Sequence, residues 1–109
     1  MIFDLIAHLD RQRAFSEKTF GPGSRTQGVI DHIRKELKEI DEKPFDLYEW
    51  IDVILLGLDG AWRAGYTSKE IVIALETKQT MNEARSWPRW QDQDRDKAIQ
   101  HERPEASER

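Results

Sequence analysis

Apolar residues recur along this chain at helical rather than strand spacing. Ile2, Leu5, Ile6 and Leu9, followed by Phe15, predict a first helix from about Ile2 to about Lys18. The segment Phe20-Gly21-Pro22-Gly23-Ser24 breaks that pattern. Val29, Ile30, Ile33, Leu37 and Ile40 then line one face of a second helix, from about Thr26 to about Ile40. Residues 41–44 are a polar break, and Asp46 is a candidate N-cap for a third helix reaching about Ala64, where Gly65 supplies a stop. Thr67-Ser68-Lys69-Glu70 has the form of a capping box and opens a fourth helix that runs to about Ser86, before Pro88 ends it. No stretch alternates with period two. Helices joined by short connections predict an all-α fold, an antiparallel bundle of about four main helices. Beyond Trp90 the chain turns charged and polar. Residues 96–101 are read there as a short helix and residues 102–109 as a flexible tail, so the expected domain is residues 1–101.

Bulk properties narrow the possible functions. A chain of 109 residues buries one modest core, and a cleft within it calls for oligomerisation, which adds shared core. With 35% charged residues and no apolar run near the roughly 20 residues of a membrane span, a soluble protein is expected. Asp4 interrupts the apolar start and no small-residue cleavage site follows, so no signal peptide is expected and the cytoplasm is the default location. The absence of cysteine excludes disulfides, thiolate zinc sites and cysteine nucleophiles. A net charge of −4 disfavours direct nucleic-acid binding, although an acidic protein still binds a nucleotide where metal ions mediate the contact.

Candidate chemistry lies in two carboxylate pairs. In Glu36-Leu37-Lys38-Glu39 the acids are three residues apart, about 300° of turn, so they share one side of the second helix. Glu36 borders the apolar stripe, close in angle to Val29 and Ile40. Glu49-Trp50-Ile51-Asp52 repeats the spacing on the third helix, and Asp52 sits in the run Trp50-Ile51-Asp52-Val53-Ile54-Leu55-Leu56, which predicts its burial. Glu36 and Glu39 alone would read as a solvated helix face. A buried Asp52 requires compensation, and four oxygen ligands on two neighbouring helices suit a hard cation such as Mg²⁺ or Mn²⁺. On the fourth helix, Ile71, Leu75, Lys78, Asn82 and Arg85 step by the intervals of a core-facing seam. Its polar half reads either as a buried ion-pair network with the carboxylates or as a phosphate clamp. A di-iron bundle would need Glu-x-x-His motifs, which are absent. His32 is near Glu39 in helical angle and reads as a solvated histidine or a support for the acids.

Taken together these strings resemble a known family. Glu36-x-x-Glu39 with Glu49-x-x-Asp52 resembles the metal motif of the MazG-like all-α NTP pyrophosphohydrolases, and Lys78 with Asn82 resembles that superfamily's phosphate-contacting K-x-x-x-N element. The gap between the acidic pairs is slightly shorter than is usual in MazG. Glu17-Lys18-Thr19-Phe20-Gly21-Pro22-Gly23, Gly28-Val29-Ile30-Asp31-His32-Ile33, Asp59-Gly60-Ala61-Trp62-Arg63-Ala64-Gly65 and the stretch from Trp87-Pro88 to Asp96-Lys97-Ala98-Ile99 are similar to the dATP/dGTP pyrophosphohydrolase branch of phages and bacteria. The resemblance implies hydrolysis of a purine (d)NTP, dGTP or dATP with dGTP favoured, to a monophosphate and pyrophosphate. It implies a homodimer or homotetramer with Glu36, Glu39, Glu49 and Asp52 as catalytic metal ligands for two or three Mg²⁺ or Mn²⁺ ions. Lys78, Asn82 and Arg85 become phosphate contacts. The MazZ-like phage members further imply purine-pool remodelling for DNA containing 2-aminoadenine.

For the base, Phe15 and Phe20 read either as core or as stacking surfaces, with Gln12 a candidate hydrogen-bonding group at its edge. Trp50 and Trp62 read as core. Gly21-Pro22-Gly23 lacks the Gly-Lys-Ser/Thr of a P-loop, and Arg25 beyond it is a further candidate phosphate contact. Other readings stay open: hydrolysis of dUTP, dCTP or a phosphoribosyl nucleotide, or a non-catalytic helical interaction protein in which the acids and the Lys78 seam neutralise one another and Mg²⁺ has no effect on stability.

Overall fold

The computed structural model describes residues 1–103. It contains α1 (Leu5–Phe20), α2 (Thr26–Glu42), α3 (Leu47–Arg63) and α4 (Ser68–Ala84), followed by a 3₁₀ turn at Trp90–Asp92, with no strand among the described residues. Three of the four helix starts carry side-chain caps. Asp4 Oδ1 accepts from the Ala7 amide at 3.1 Å, so α1 begins at Leu5 rather than Ile2. Asp46 Oδ1 accepts from the Tyr48 amide at 3.0 Å. At α4 the expected capping box forms: the Thr67 amide donates to Glu70 Oε1 at 3.0 Å and the Glu70 amide to Thr67 Oγ1 at 3.1 Å. The third helix stops at Gly65, whose φ of +109° is costly for any residue with a Cβ.

Contacts divide the chain into two units, Met1–Ala74 and the segment from Leu75 onward. In the first, Leu9, Trp62 and Ile71 form the buried core, with Leu5, Leu58, Ala61 and Val72 packed against it. The helices α2 and α3 form an antiparallel hairpin. Their junction brings the end of α2 against the start of α3, and Gly60, late in α3, lies beside Val29, early in α2. The residues buried on α2 are Val29, Glu36 and Ile40, which share one side of the helix, while Leu37 of the expected stripe is exposed.

Several expectations are corrected. Trp50 is not core: it is half exposed, and its indole N–H donates to the Pro44 carbonyl at 2.9 Å, bracing the α2–α3 turn. The α4 seam is buried at Ile71 but not beyond it, for Leu75 and Lys78 are exposed. In a chain this small, too few elements exist to cover every apolar helix face. Residues 96–101 are not helical. Asp94 instead closes a local turn, its Oδ1 accepting from the Asp96 amide and its carbonyl from the Lys97 amide, a short-range alternative to helix. Residues 104–109 of the expected tail lie outside the described residues.

Within the second unit, Arg85 Nη1 donates to Asn82 Oδ1 at 3.2 Å and the Trp87 indole to the Asn82 carbonyl at 2.7 Å. The Glu102 amide donates to the Ser86 carbonyl at 2.7 Å, and Trp87 meets His101 edge to face.

Leu9 is 2% exposed and central to the first unit's core. Leu9→Ala is expected to destabilise the protein by about 2–5 kcal/mol in denaturant melts, as for other buried leucines.

Candidate metal centre and adjoining cavity

Glu36 and Glu39 lie in the last turns of α2, Glu49 and Asp52 in the first turns of α3, and the antiparallel hairpin brings them together. One carboxylate oxygen from each lies within 4.8 Å of the other three. Glu36 is buried, Glu39 and Glu49 are half-buried and Asp52 is exposed. The expected burial of Asp52 is therefore wrong, and the burden falls on Glu36. The apolar run around Asp52 is not covered on all sides: Trp50 and Ile54, two residues to either side of it, are also exposed.

Like charges this close perturb one another. Burial, first, pushes the Glu36 pKa above its ordinary 4.5, helped by the hydrogen bond to Glu39 and by the charges of Glu39 and Asp52, while His32 opposes the rise. Glu49 is raised as well, by burial and then by its hydrogen bond to Glu39 and the charges of Glu39, Asp46 and Glu36. Glu39 moves down, because it accepts hydrogen bonds from Glu36 and Glu49, with smaller help from Lys35 and Lys43. His32 Nε2 stands 3.3 Å from Glu36 Oε1, so the histidine supports the buried acid.

The second oxygens of Glu36 and Glu49 are buried with no hydrogen-bond partner. Orphaned carboxylate oxygens cost free energy that a cation between the two pairs would offset. An all-oxygen, carboxylate-rich donor set suits a hard divalent cation better than a soft one. The residues present fit such an ion.

A cavity of about 390 Å³ adjoins this cluster. Glu36, Asp52 and His32 form part of its lining, and Gln12, Phe15 and Phe20 form another part. Phe15 and Phe20 are not core: they are 62% and 44% exposed, with rings edge to face at 6.3 Å. Gln12 is held between two partners. Its Nε2 donates to the Leu55 carbonyl at 2.7 Å, and its Oε1 faces His8 Nε2 at 3.0 Å. The Arg25 guanidinium lies 5.7 Å from the centre of the Phe20 ring and curls back over Gly28. Seven of the candidate site residues thus line the cavity or join the acid cluster; Arg25 does neither and lies against Phe20. Lys78, Asn82 and Arg85 belong to the second unit, where Lys78 is exposed and Asn82 and Arg85 pair.

A buried polar group that the hydrophobic pattern does not single out lies beside the cavity. Asp59 accepts from the Trp62 indole at 2.7 Å through Oδ1, and through Oδ2 from Ser16 Oγ at 2.7 Å and Arg63 Nε at 3.3 Å. Arg63 Nη1 donates to the Gly21 and Gly23 carbonyls at 2.9 and 2.8 Å, and Nη2 to Ser16 Oγ at 2.9 Å. The available signal was Asp59, Trp62 and Arg63 at three- and four-residue spacing on a mostly apolar helix.

The family model described as dATP/dGTP pyrophosphohydrolase matches residues 8–106. No curated protein and no solved structure matches the chain.

Without metal, Glu36 and Glu49 hold protons more tightly folded than unfolded. Their contribution to stability is full below 4.5 and is lost as pH rises through their raised pKa values. Glu39 acts in the other window: its contribution is present above 4.5 and lost as pH falls through its lowered value. In thermal melts of EDTA-treated protein, Tm is expected to fall as pH rises above 4.5 toward neutrality. Mg²⁺ at about 100 times its Kd should restore about 2.7 kcal/mol at neutral pH, and Glu36→Gln should flatten both responses.

Proposed function

The chain belongs to the dATP/dGTP pyrophosphohydrolase family, and on that premise we propose that it hydrolyses purine deoxynucleoside triphosphates, dGTP ahead of dATP, in a reaction dependent on Mg²⁺ or Mn²⁺. The observation that carries this reading is the convergence of four carboxylates, two with orphaned buried oxygens, beside a cavity with exposed aromatic rings. Glu36, Glu39, Glu49 and Asp52 are the residues that would hold two or three ions. Divalent cations bound there would lower the pKa of water and neutralise phosphate charge.

The same carboxylates orient the attacking water toward the α-phosphorus. As its oxygen bonds to that phosphorus, the bond to the α–β bridging oxygen breaks and pyrophosphate departs. The water's proton passes to Glu36 or Glu39. Lys78, Asn82 and Arg85 are assigned to the β- and γ-phosphates on their chemistry and on the family resemblance, since a guanidinium and an ammonium stabilise the charge growing on the leaving group. Arg25, stacked near Phe20, is a further phosphate contact. Phe15 and Phe20 offer faces for a purine, and Gln12 meets its edge.

Assembly as a homodimer or homotetramer is part of the proposal, supported by the exposed apolar side chains of Leu37, Trp50 and Ile54 on the α2–α3 hairpin. So is a catalytic domain spanning residues 1–101, acting in the cytoplasm. Among the described residues, no helix is long and apolar enough to cross a membrane. In a phage whose DNA carries 2-aminoadenine, such an enzyme would deplete dGTP and supply dGMP for synthesis of the unusual base.

The test is incubation with Mg²⁺ and each of the eight common (d)NTPs, with monophosphate and pyrophosphate quantified. Turnover is expected for dGTP and dATP and lost with EDTA. Asp52→Asn should lower kcat by about 10²–10³-fold, the scale of losing one charge-stabilising group. Release of orthophosphate and a diphosphate, or turnover indifferent to EDTA, would sink the reading.

A further inference from the structure

We propose that Arg63, held by Asp59 and Ser16, is a positioning residue for nucleotide binding: it clamps the α1–α2 loop so that Phe20 is preset at the cavity, with Arg25 beside its ring. The proposal rests on the nucleotide-hydrolase reading above. Arg63 is 8% exposed, and its guanidinium bonds three separate pieces of chain: Asp59 on its own helix, Ser16 on α1, and the carbonyls of Gly21 and Gly23 in the loop. Those two glycines have φ of +93° and +81°, a backbone that only glycine adopts cheaply. One guanidinium nitrogen thus grips the loop at two specially shaped positions, immediately between Phe20 and Arg25.

Asp59 and Ser16 line the cavity, yet neither is placed to read a ligand. Asp59 takes three donors, and the Ser16 hydroxyl both donates to Asp59 and accepts from Arg63. Their hydrogen bonds point inward, to Arg63 and Trp62, and the guanidinium also lies 4.3 Å from the Trp62 ring centre. A buried ion pair is poor value as a source of stability alone, because desolvation offsets the attraction. Its geometric effect is to remove freedom from the loop. A loop ordered in advance lowers the cost of binding, so loosening it should weaken nucleotide affinity more than the chemical step.

Arg63→Lys keeps the charge beside Asp59 but lacks the planar fork that spans both carbonyls. We would measure kcat and KM for dGTP and dATP, Mg²⁺ affinity by calorimetry, and amide hydrogen exchange across residues 20–26. Leu9→Val, a core change outside the network, controls for simple loss of stability. Arg63→Lys is expected to raise KM by about tenfold or more, the scale of one lost hydrogen bond to a charged group, with kcat little changed. Mg²⁺ affinity should hold, and exchange should quicken at residues 20–26. If Arg63→Lys does not fold, Ser16→Ala, which removes one hydroxyl from the same network, carries the same expectation. Unchanged KM, or kcat, KM and Mg²⁺ affinity deteriorating together as in Leu9→Val, would overturn the proposal while leaving the hydrolase reading intact. A wild type that turns over neither purine nucleotide overturns both.

Discussion

Four carboxylates whose oxygens lie within 4.8 Å of one another across one helix hairpin repel each other unless a counterion sits among them. That repulsion organises the site in this protein. Burial first, and then hydrogen bonding to Glu39 and the neighbouring charges, push the Glu36 and Glu49 pKa values up, while Glu39 is pushed down and two buried oxygens have no partner. The hairpin resists this strain because it is well founded elsewhere. Asp46 caps the start of α3, the Trp50 indole braces the turn against Pro44, and Val29 and Ile40 bury α2 on either side of Glu36. A cation would exchange mutual repulsion for shared ligation, which ties the preferred protonation state of the acids to metal binding.

The cavity inherits its shape from the same hairpin and from α1. Its acids come from α2 and α3, its aromatic rings from the end of α1, and the two are linked through Asp59 and Arg63. A triphosphate requires these two chemistries side by side: a hard, anionic place for metal and an apolar, polarizable surface for a base. Catalysis of this kind depends on positioning and charge stabilisation rather than on a reactive nucleophile, which suits a chain without cysteine.

A small chain leaves much apolar surface uncovered. Leu37, Trp50 and Ile54 on the hairpin, and Leu75 on α4, are all substantially exposed although their spacing is that of buried positions. Periodicity reports which face of a helix is apolar. It does not report whether one chain has enough elements to cover that face. For this reason helical spacing predicts burial for Leu75, Lys78, Trp50 and Asp52, all of which are exposed.

Local rules acting over three to seven residues determined the helices, their caps at Asp46 and Thr67, the glycine stop at Gly65 and the pairing of acids on one face of α2 and of α3. The sequence by itself therefore determined the all-α class and the residues of the acid cluster. The tertiary structure alone decided which carboxylate is buried, that Phe15 and Phe20 are exposed beside the acids, and that Arg63 reaches more than 40 residues back along the chain to Ser16 and about as far to Gly21 and Gly23. Those outcomes depend on desolvation and on contacts between distant segments. Desolvation is a property of everything packed around a group, which no local pattern contains.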